Sequence, residues 1–170
     1  NARGVVLGLD GRNTTQANLL RSAVEGATYA LRFGFGEMGA LGMSANEIVL
    51  TGGGVNSGTW RQVVADVFNA PVTVLKNNEG AAFGAALQAL AMLEGDGVDL
   101  AALAQAHLVK DEARCVEPRP SAVSVYNESY NECQRAVGKV AAAGRHLSTG
   151  KDASAISWVA VRDFLSPRIS

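Results

Sequence analysis

Long apolar stretches are missing from this chain. No run approaches the roughly 18 residues that a membrane-spanning helix requires, and the first residues show no basic-then-apolar leader. Membrane insertion is not expected, and the cytoplasm is the expected compartment. Charge of one sign is missing too: the formal net charge is −1, with no block of like charges, so the electrostatic footprint of a nucleic-acid or anionic-membrane binder is absent from the sequence. Cysteine and histidine are sparse. Cys115 and Cys133 share no C-x-x-C spacing and read as reduced thiols. His107 and His146 lie far apart, outside any ligand or nucleophile-base motif, so neither a zinc site nor a histidine-based triad is expected. What is present is ordinary for a globular protein: 170 residues, 48% hydrophobic and 18% charged, enough for one domain with a real core.

Short apolar runs alternate with helical patterns. Residues 4–9 (GVVLGL), 47–51 (EIVLT) and 71–75 (PVTVL) are rich in β-branched side chains and bounded by Gly, Pro or Asn, which predicts buried strands. Between them, Leu20, Val24, Ala27 and Leu31 recur along one side of a helix over about 15–35. Trp60, Val63, Val64, Val67 and Phe68 form a core-facing stripe on a second helix, and residues 79–93 (EGAAFGAALQALAML) predict a third. Gly84 inside that third helix is unfavourable relative to Ala unless a bare backbone is needed, so close contact is expected there. Asp99 is a plausible N-cap for a short helix through Ala106, EPRPS at 117–121 reads as a linker, and Val123, Tyr126, Tyr130, Cys133, Val137 and Val140 predict a last helix. Beyond about Gly144 the only further element expected is ISWVAVRDFL, after a connector around STGKDAS. Strands alternating with long helices argue for an α/β layer structure.

Gly52, Gly53 and Gly54 stand between the second predicted strand and the second helix. Glycine allows positive φ and lets a ligand lie against bare backbone, and a strand, a glycine turn and a helix are how α/β proteins present backbone N–H groups to nucleotides. Neither G-x-G-x-x-G nor G-x-x-x-x-G-K-[ST] is present. On physical grounds alone, a ligand site and a sharp structural turn both remain open.

The order of segments is more specific. Gly4-x-Val6-x-Gly8-Leu9, eight residues, then Asn18-Leu19-x-x-Ser22-Ala23-Val24-Glu25 resembles the second signature of the FGGY carbohydrate kinases. The strand with GGG, then NSGTWRQVVADVF, PVTVL and EGAAFGAALQA, are similar to that family's next landmarks in the same order, particularly in its xylulokinase and related pentose kinase branch. The resemblance covers residues 2 to about 94, reaches loosely to the Tyr126/Tyr130 helix and fails after about 146. It implies a ribonuclease-H-like, actin-type ATPase fold of two similar domains with ATP in the cleft, of which this chain resembles the C-terminal domain. Residues 1–146 would be that ATP-binding domain, incomplete at its N-terminal end, and 147–170 an extension of unclear role.

By the same resemblance, Gly52, Gly53 and Gly54 are an adenosine motif, with Asn56 and Ser57 offering polar contacts and the helix from Gly58 keeping the turn rigid through Trp60 and Val64. Gly84 would lie near an interdomain hinge, with an ordinary helix crossing as the alternative. Glu25 is expected to be a paired structural carboxylate, and Asp10 and Arg12 carry no expected chemistry. The family's general-base aspartate and a phosphate-binding loop fall before Asn1, and the other phosphate loop and most of the sugar site belong to the N-terminal domain. No catalytic or metal-binding residue is therefore assigned to this chain, which begins without Met and is expected to be a piece of a longer protein. The implied cofactors are ATP and Mg2+, and the implied partners are the N-terminal domain of the same kinase and a sugar, D-xylulose ahead of glycerol, gluconate or ribulose. A homodimer stays open. Two other readings remain: a non-catalytic actin-type nucleotide-binding module that regulates or scaffolds a partner, and an α/β domain whose GGG is only a turn.

Overall fold

Thr15 closes a polar loop with extended backbone, and its hydroxyl accepts from the Asn18 amide at 3.2 Å, satisfying one of the donors that a helix start leaves unpaired. The first helix follows from it. In chain order the elements are β1 (Gly4–Leu7), α1 (Gln16–Ala40), β2 (Ile48–Leu50), α2 (Gly58–Phe68), β3 (Val72–Val74), α3 (Gly80–Glu94), α4 (Leu100–His107), α5 (Pro120–Leu147) and β4 (Trp158–Val161), with short 3-10 turns at Gly53–Asn56 and Glu112–Arg114. The computed structural model describes residues 4–76, 80–95, 97–147 and 158–161. Two compact units are present, one formed by Asn1–Ser44, Asp66–Asn69 and Arg119–Ser170, the other by Ala45–Ala65 and Ala70–Pro118.

In the first unit, β1 pairs in parallel with β4, Gly4 opposite Trp158 and Leu7 opposite Val161. This last strand falls within the stretch 147–170 that was expected to be an extension of unclear role, and it pairs with β1 in the same unit. The connector expected around STGKDAS lies outside the described residues. The predicted stripe of α1 does not face the core: Leu20 and Leu31 are 63% and 57% exposed, and the buried face carries Ser22, Glu25, Gly26, Thr28 and Tyr29. The reason lies on α5. Its Tyr126 hydroxyl donates to Glu25 Oε1 at 3.0 Å and accepts from Arg21 Nη2 at 2.8 Å, while Arg21 Nε donates to the same Glu25 oxygen at 2.7 Å. Tyr29 packs against Tyr126 and Tyr130 with centroids 6.3 and 5.7 Å apart, and Arg32 stacks over Tyr130 at 4.3 Å while donating to Asn127. A buried carboxylate is tolerable when its lone pairs are met, and Glu25 is the paired structural carboxylate expected.

Pro120 is the first residue of α5, where a missing N–H is harmless, so EPRPS ends in a helix start and not in a free linker. The residue before it anchors the helix. Arg119 donates from its backbone N at 2.7 Å and from its guanidinium at 2.6 and 3.1 Å to the fully buried carboxylate of Asp66.

In the second unit β2 and β3 are parallel, Ile48 opposite Val72 and Leu50 opposite Val74. Val116 and Lys110 form antiparallel bridges with Val72 and Leu75, and Glu47 pairs with Lys110 at 2.7 Å and bonds Thr73. Val55, Val63, Val64, Ala65, Val72 and Val74 are buried, in keeping with the stripe expected on α2. Asp99 caps α4 by accepting from Ala101 and Ala102. On α3 only Leu87 is buried; Met92 and Leu93 are each 85% exposed, and a Cβ added at Gly84 would meet nothing within 4 Å. The close contact expected at Gly84 is not made among the described residues, where α3 buries little of its surface.

Two outcomes are expected. Arg119→Ala should destabilise the chain by about 1.5–3 kcal/mol in urea melts, since the buried Asp66 carboxylate loses the charged hydrogen bonds of a half-exposed guanidinium while keeping the backbone N–H of residue 119. Burial and then the nearby Glu25 charge push the Tyr126 phenol up to about 12 from its ordinary 10.0. A raised folded-state pKa gives stability that is complete below pH 10 and declines as pH rises toward 12. Melting temperatures followed across that window should fall less steeply in Tyr126→Phe.

Candidate functional site

The chain leaves β2 at Leu50 and turns at Gly52, whose φ of 84° and ψ of −171° lie in a region open essentially to glycine alone. Gly53–Asn56 then form one 3-10 turn, closed by Val55 N to Gly52 O at 3.2 Å and Ser57 N to Gly54 O at 3.1 Å. Helix α2 starts directly after it. Ser57 Oγ accepts from Trp60 N at 3.2 Å, and Ser57 O accepts from Arg61 N at 3.0 Å. This brings the Trp60 ring back over the turn: a Cβ added at Gly54 would sit 2.8 Å from Cε3 and Cζ3 of the indole.

The three glycines are therefore there for different reasons. Gly52 meets a backbone requirement and Gly54 a packing requirement. Gly53 meets neither, because a Cβ there would find nothing within 4 Å and its φ is not positive. Across the turn, the start of α3 approaches Thr51, whose Oγ1 would lie 3.1 Å from a Cβ at Gly80.

Two arginines brace the corner, and sequence reasoning missed both. The carbonyl of fully buried Val55 accepts from Arg61 Nη1 at 2.6 Å and from Arg114 Nη2 at 2.9 Å; Arg114 Nη2 also donates to Asn56 Oδ1 at 2.9 Å. Arg61 could have been suspected from its place one turn into α2. Arg114 gave no signal, being on a separate 3-10 turn far along the chain that tertiary pairing brings to the glycines. Of the expected site residues, Gly52, Gly53, Gly54, Asn56 and Ser57 all lie in this one corner, and Asn56 and Ser57 are exposed. Both already make a structural bond through their side-chain oxygen, which leaves the Asn56 amide N–H2 and the Ser57 hydroxyl proton as donors. Asp10 and Arg12 pair with each other at 2.9 Å in an exposed loop. Among the described residues no group of three or more His, Cys, Asp or Glu side chains is placed to hold a metal ion, and no helix is long and apolar enough to cross a membrane.

Residues 1–93, the corner included, match the family model described as the FGGY family of carbohydrate kinases, C-terminal domain. The chain belongs to the FGGY family. This FGGY C-terminal domain chain is 38% identical over 130 residues to the xylulose kinase of Haemophilus influenzae, a match that covers 76% of the chain and 26% of that protein. It is 39% identical over 87 residues to the xylulose kinase of Staphylococcus xylosus, covering 51% of the chain and 18% of the relative. Among solved structures, the xylulose kinase from Rhodospirillum rubrum superposes with a TM-score of 0.66 and 26% identity over 78% of this chain and 26% of that one. The FGGY chain thus spans about a quarter, or less, of the relatives it matches.

Substitutions at the three glycines should separate their roles in urea melts of the chain. Gly52→Ala should cost about 1–3 kcal/mol through backbone strain, and Gly54→Ala about 1–3 kcal/mol by overpacking against the Trp60 ring. Gly53→Ala should stay within about 0.5 kcal/mol of the parent. A Gly53→Ala loss as large as the other two would show that the turn itself requires that glycine.

Proposed function

We propose that this FGGY-family chain supplies the adenosine side of the nucleotide cleft in an ATP-dependent carbohydrate kinase, which transfers the γ-phosphoryl group of ATP to a sugar hydroxyl. The observation that carries the reading is Gly53. Two neighbouring glycines are explained by the fold, whereas Gly53 exposes bare backbone that no contact among the described residues explains, and a flat purine nucleoside is a ligand that needs such a surface. The fit is chemical as well as steric: Asn56 and Ser57, next in the chain, keep N–H and O–H donors for the acceptor atoms of a base or ribose. The start of α3 beside Thr51 borders the same corner.

In this reading Gly52 and Gly53 let the nucleoside lie on the backbone. Trp60, Arg61 and Arg114 hold the turn rigid, so the nucleoside meets a surface already in its binding geometry. Magnesium would neutralise phosphate charge when bound, and no cluster among the described residues is assigned to hold it. The general base, the phosphate loops and most of the sugar contacts are assigned outside this chain, in the preceding part of the kinase and its N-terminal domain. The ribonuclease-H-like, actin-type fold is the architecture we assign, and the parallel strand pairs with intervening helices support it. D-xylulose is the acceptor we favour, on the names of the relatives at 38% and 39% identity.

In the full-length kinase, Gly53→Val should raise the KM for ATP about tenfold, equivalent to ~1.4 kcal/mol, with a smaller effect on the KM for sugar. A folded variant with the parental KM for ATP would remove the adenosine assignment. The 170 residues alone should show no sugar-dependent ATP turnover, and turnover by them would overturn the division of roles.

A further inference from the structure

We infer that Arg114 is a positioning residue that orients Asn56, so that its amide N–H2, and not its carbonyl, meets an acceptor atom of the nucleoside. The inference rests on the adenosine reading of the turn and adds to it which chemical face the site offers. A guanidinium has donors and no acceptor, so Asn56 can meet Arg114 only through Oδ1. The 2.9 Å contact therefore settles which way the amide faces. Turning it over would set N–H2 against N–H2 and lose the bond. The two hydrogens of Arg114 Nη2 serve two oxygens, Val55 O and Asn56 Oδ1, so one side chain couples the backbone of the turn to the orientation of its last side chain.

Arg114 is itself held. Its backbone N donates to Asp111 O at 2.9 Å, its Nη1 lies 4.0 Å from Asp111 Oδ2, and its segment is tied to β3 through the Val72–Val116 and Leu75–Lys110 bridges. Residues three apart in a 3-10 turn eclipse one another. Asn56 accordingly lies on the same side of the turn as Gly53, and it is exposed. Among the described residues of this corner Arg61 bonds the Val55 carbonyl and not Asn56, so it braces the turn without orienting the amide.

The test uses the full-length kinase with neutral adenosine as a competitive inhibitor against ATP, so that an added charge does not act through the phosphates. Asn56→Asp keeps the oxygen that faces Arg114, making that contact an ion pair, but deletes the outward donor. Its melting temperature should equal or exceed the parent's, while adenosine inhibition weakens about three- to tenfold, the range of one neutral hydrogen bond. Arg114→Met should weaken adenosine by a similar factor, and the double variant by no more than either single one, because the two residues act as one unit. In each variant the KM for ATP should move more than the KM for sugar. Asn56→Asp with parental adenosine inhibition overturns the inference. So do strictly additive effects of the two changes, which would leave Arg114 with only its Val55 contact. If adenosine does not compete with ATP in the unmodified kinase, the adenosine reading itself falls and this inference with it; competition that neither variant alters removes the inference alone.

Discussion

The contact between the Trp60 ring and the bare Cα of Gly54 sets the geometry of everything around the β2–α2 corner. An indole that close leaves no room for a Cβ. Because Trp60 is in the first turn of α2, the same contact fixes where the helix begins relative to the strand. Burying the Val55 carbonyl under that corner would leave a polar group stranded without partners, and two guanidiniums supply them. One aromatic contact and one doubly bonded carbonyl thus convert a glycine-rich sequence, intrinsically the most flexible kind, into a rigid turn. Rigidity is what a binding surface needs if its ligand is not to bear the ordering entropy.

A different logic governs the packing of α1 on α5. Apolar residues could have been placed on the buried face of α1, and the chain has them at Leu20 and Leu31, yet these are the exposed ones. Glu25, Thr28 and Tyr29 are buried instead: Arg21 and Tyr126 donate to Glu25, the Thr28 hydroxyl donates back to the Val24 carbonyl, and Tyr29 packs against Tyr126 and Tyr130. Such a polar seam gains less from desolvation than a leucine seam, but its directional bonds accept fewer alternative registers. Asp66 and Arg119 work similarly where α5 begins. Helix α3 shows the converse: it is apolar on nearly every side and buries only Leu87, in a chain that spans about a quarter of its H. influenzae relative's length.

The amino-acid sequence alone determined the elements and the corner. Short β-branched apolar runs bounded by Gly, Pro or Asn marked β1, β2 and β3 to within a residue or two of their ends, the spacing of Trp60, Val63, Val64 and Val67 marked the buried face of α2, and Asp99 marked the start of α4. These features are local: they depend on neighbours within a turn or a strand, and the chain carries them wherever it goes. The family order of segments was local in the same sense. The tertiary structure decided which face of α1 is buried, that Pro120 opens a helix, that β4 lies beside β1, that Gly84 meets nothing among the described residues, and that Arg114 reaches Val55 and Asn56. Each of these depends on a partner far away in sequence, whose hydroxyl, carboxylate or guanidinium changes the energetic ranking that hydrophobicity alone would give. Periodicity records what a side chain is, and burial depends also on what stands opposite it.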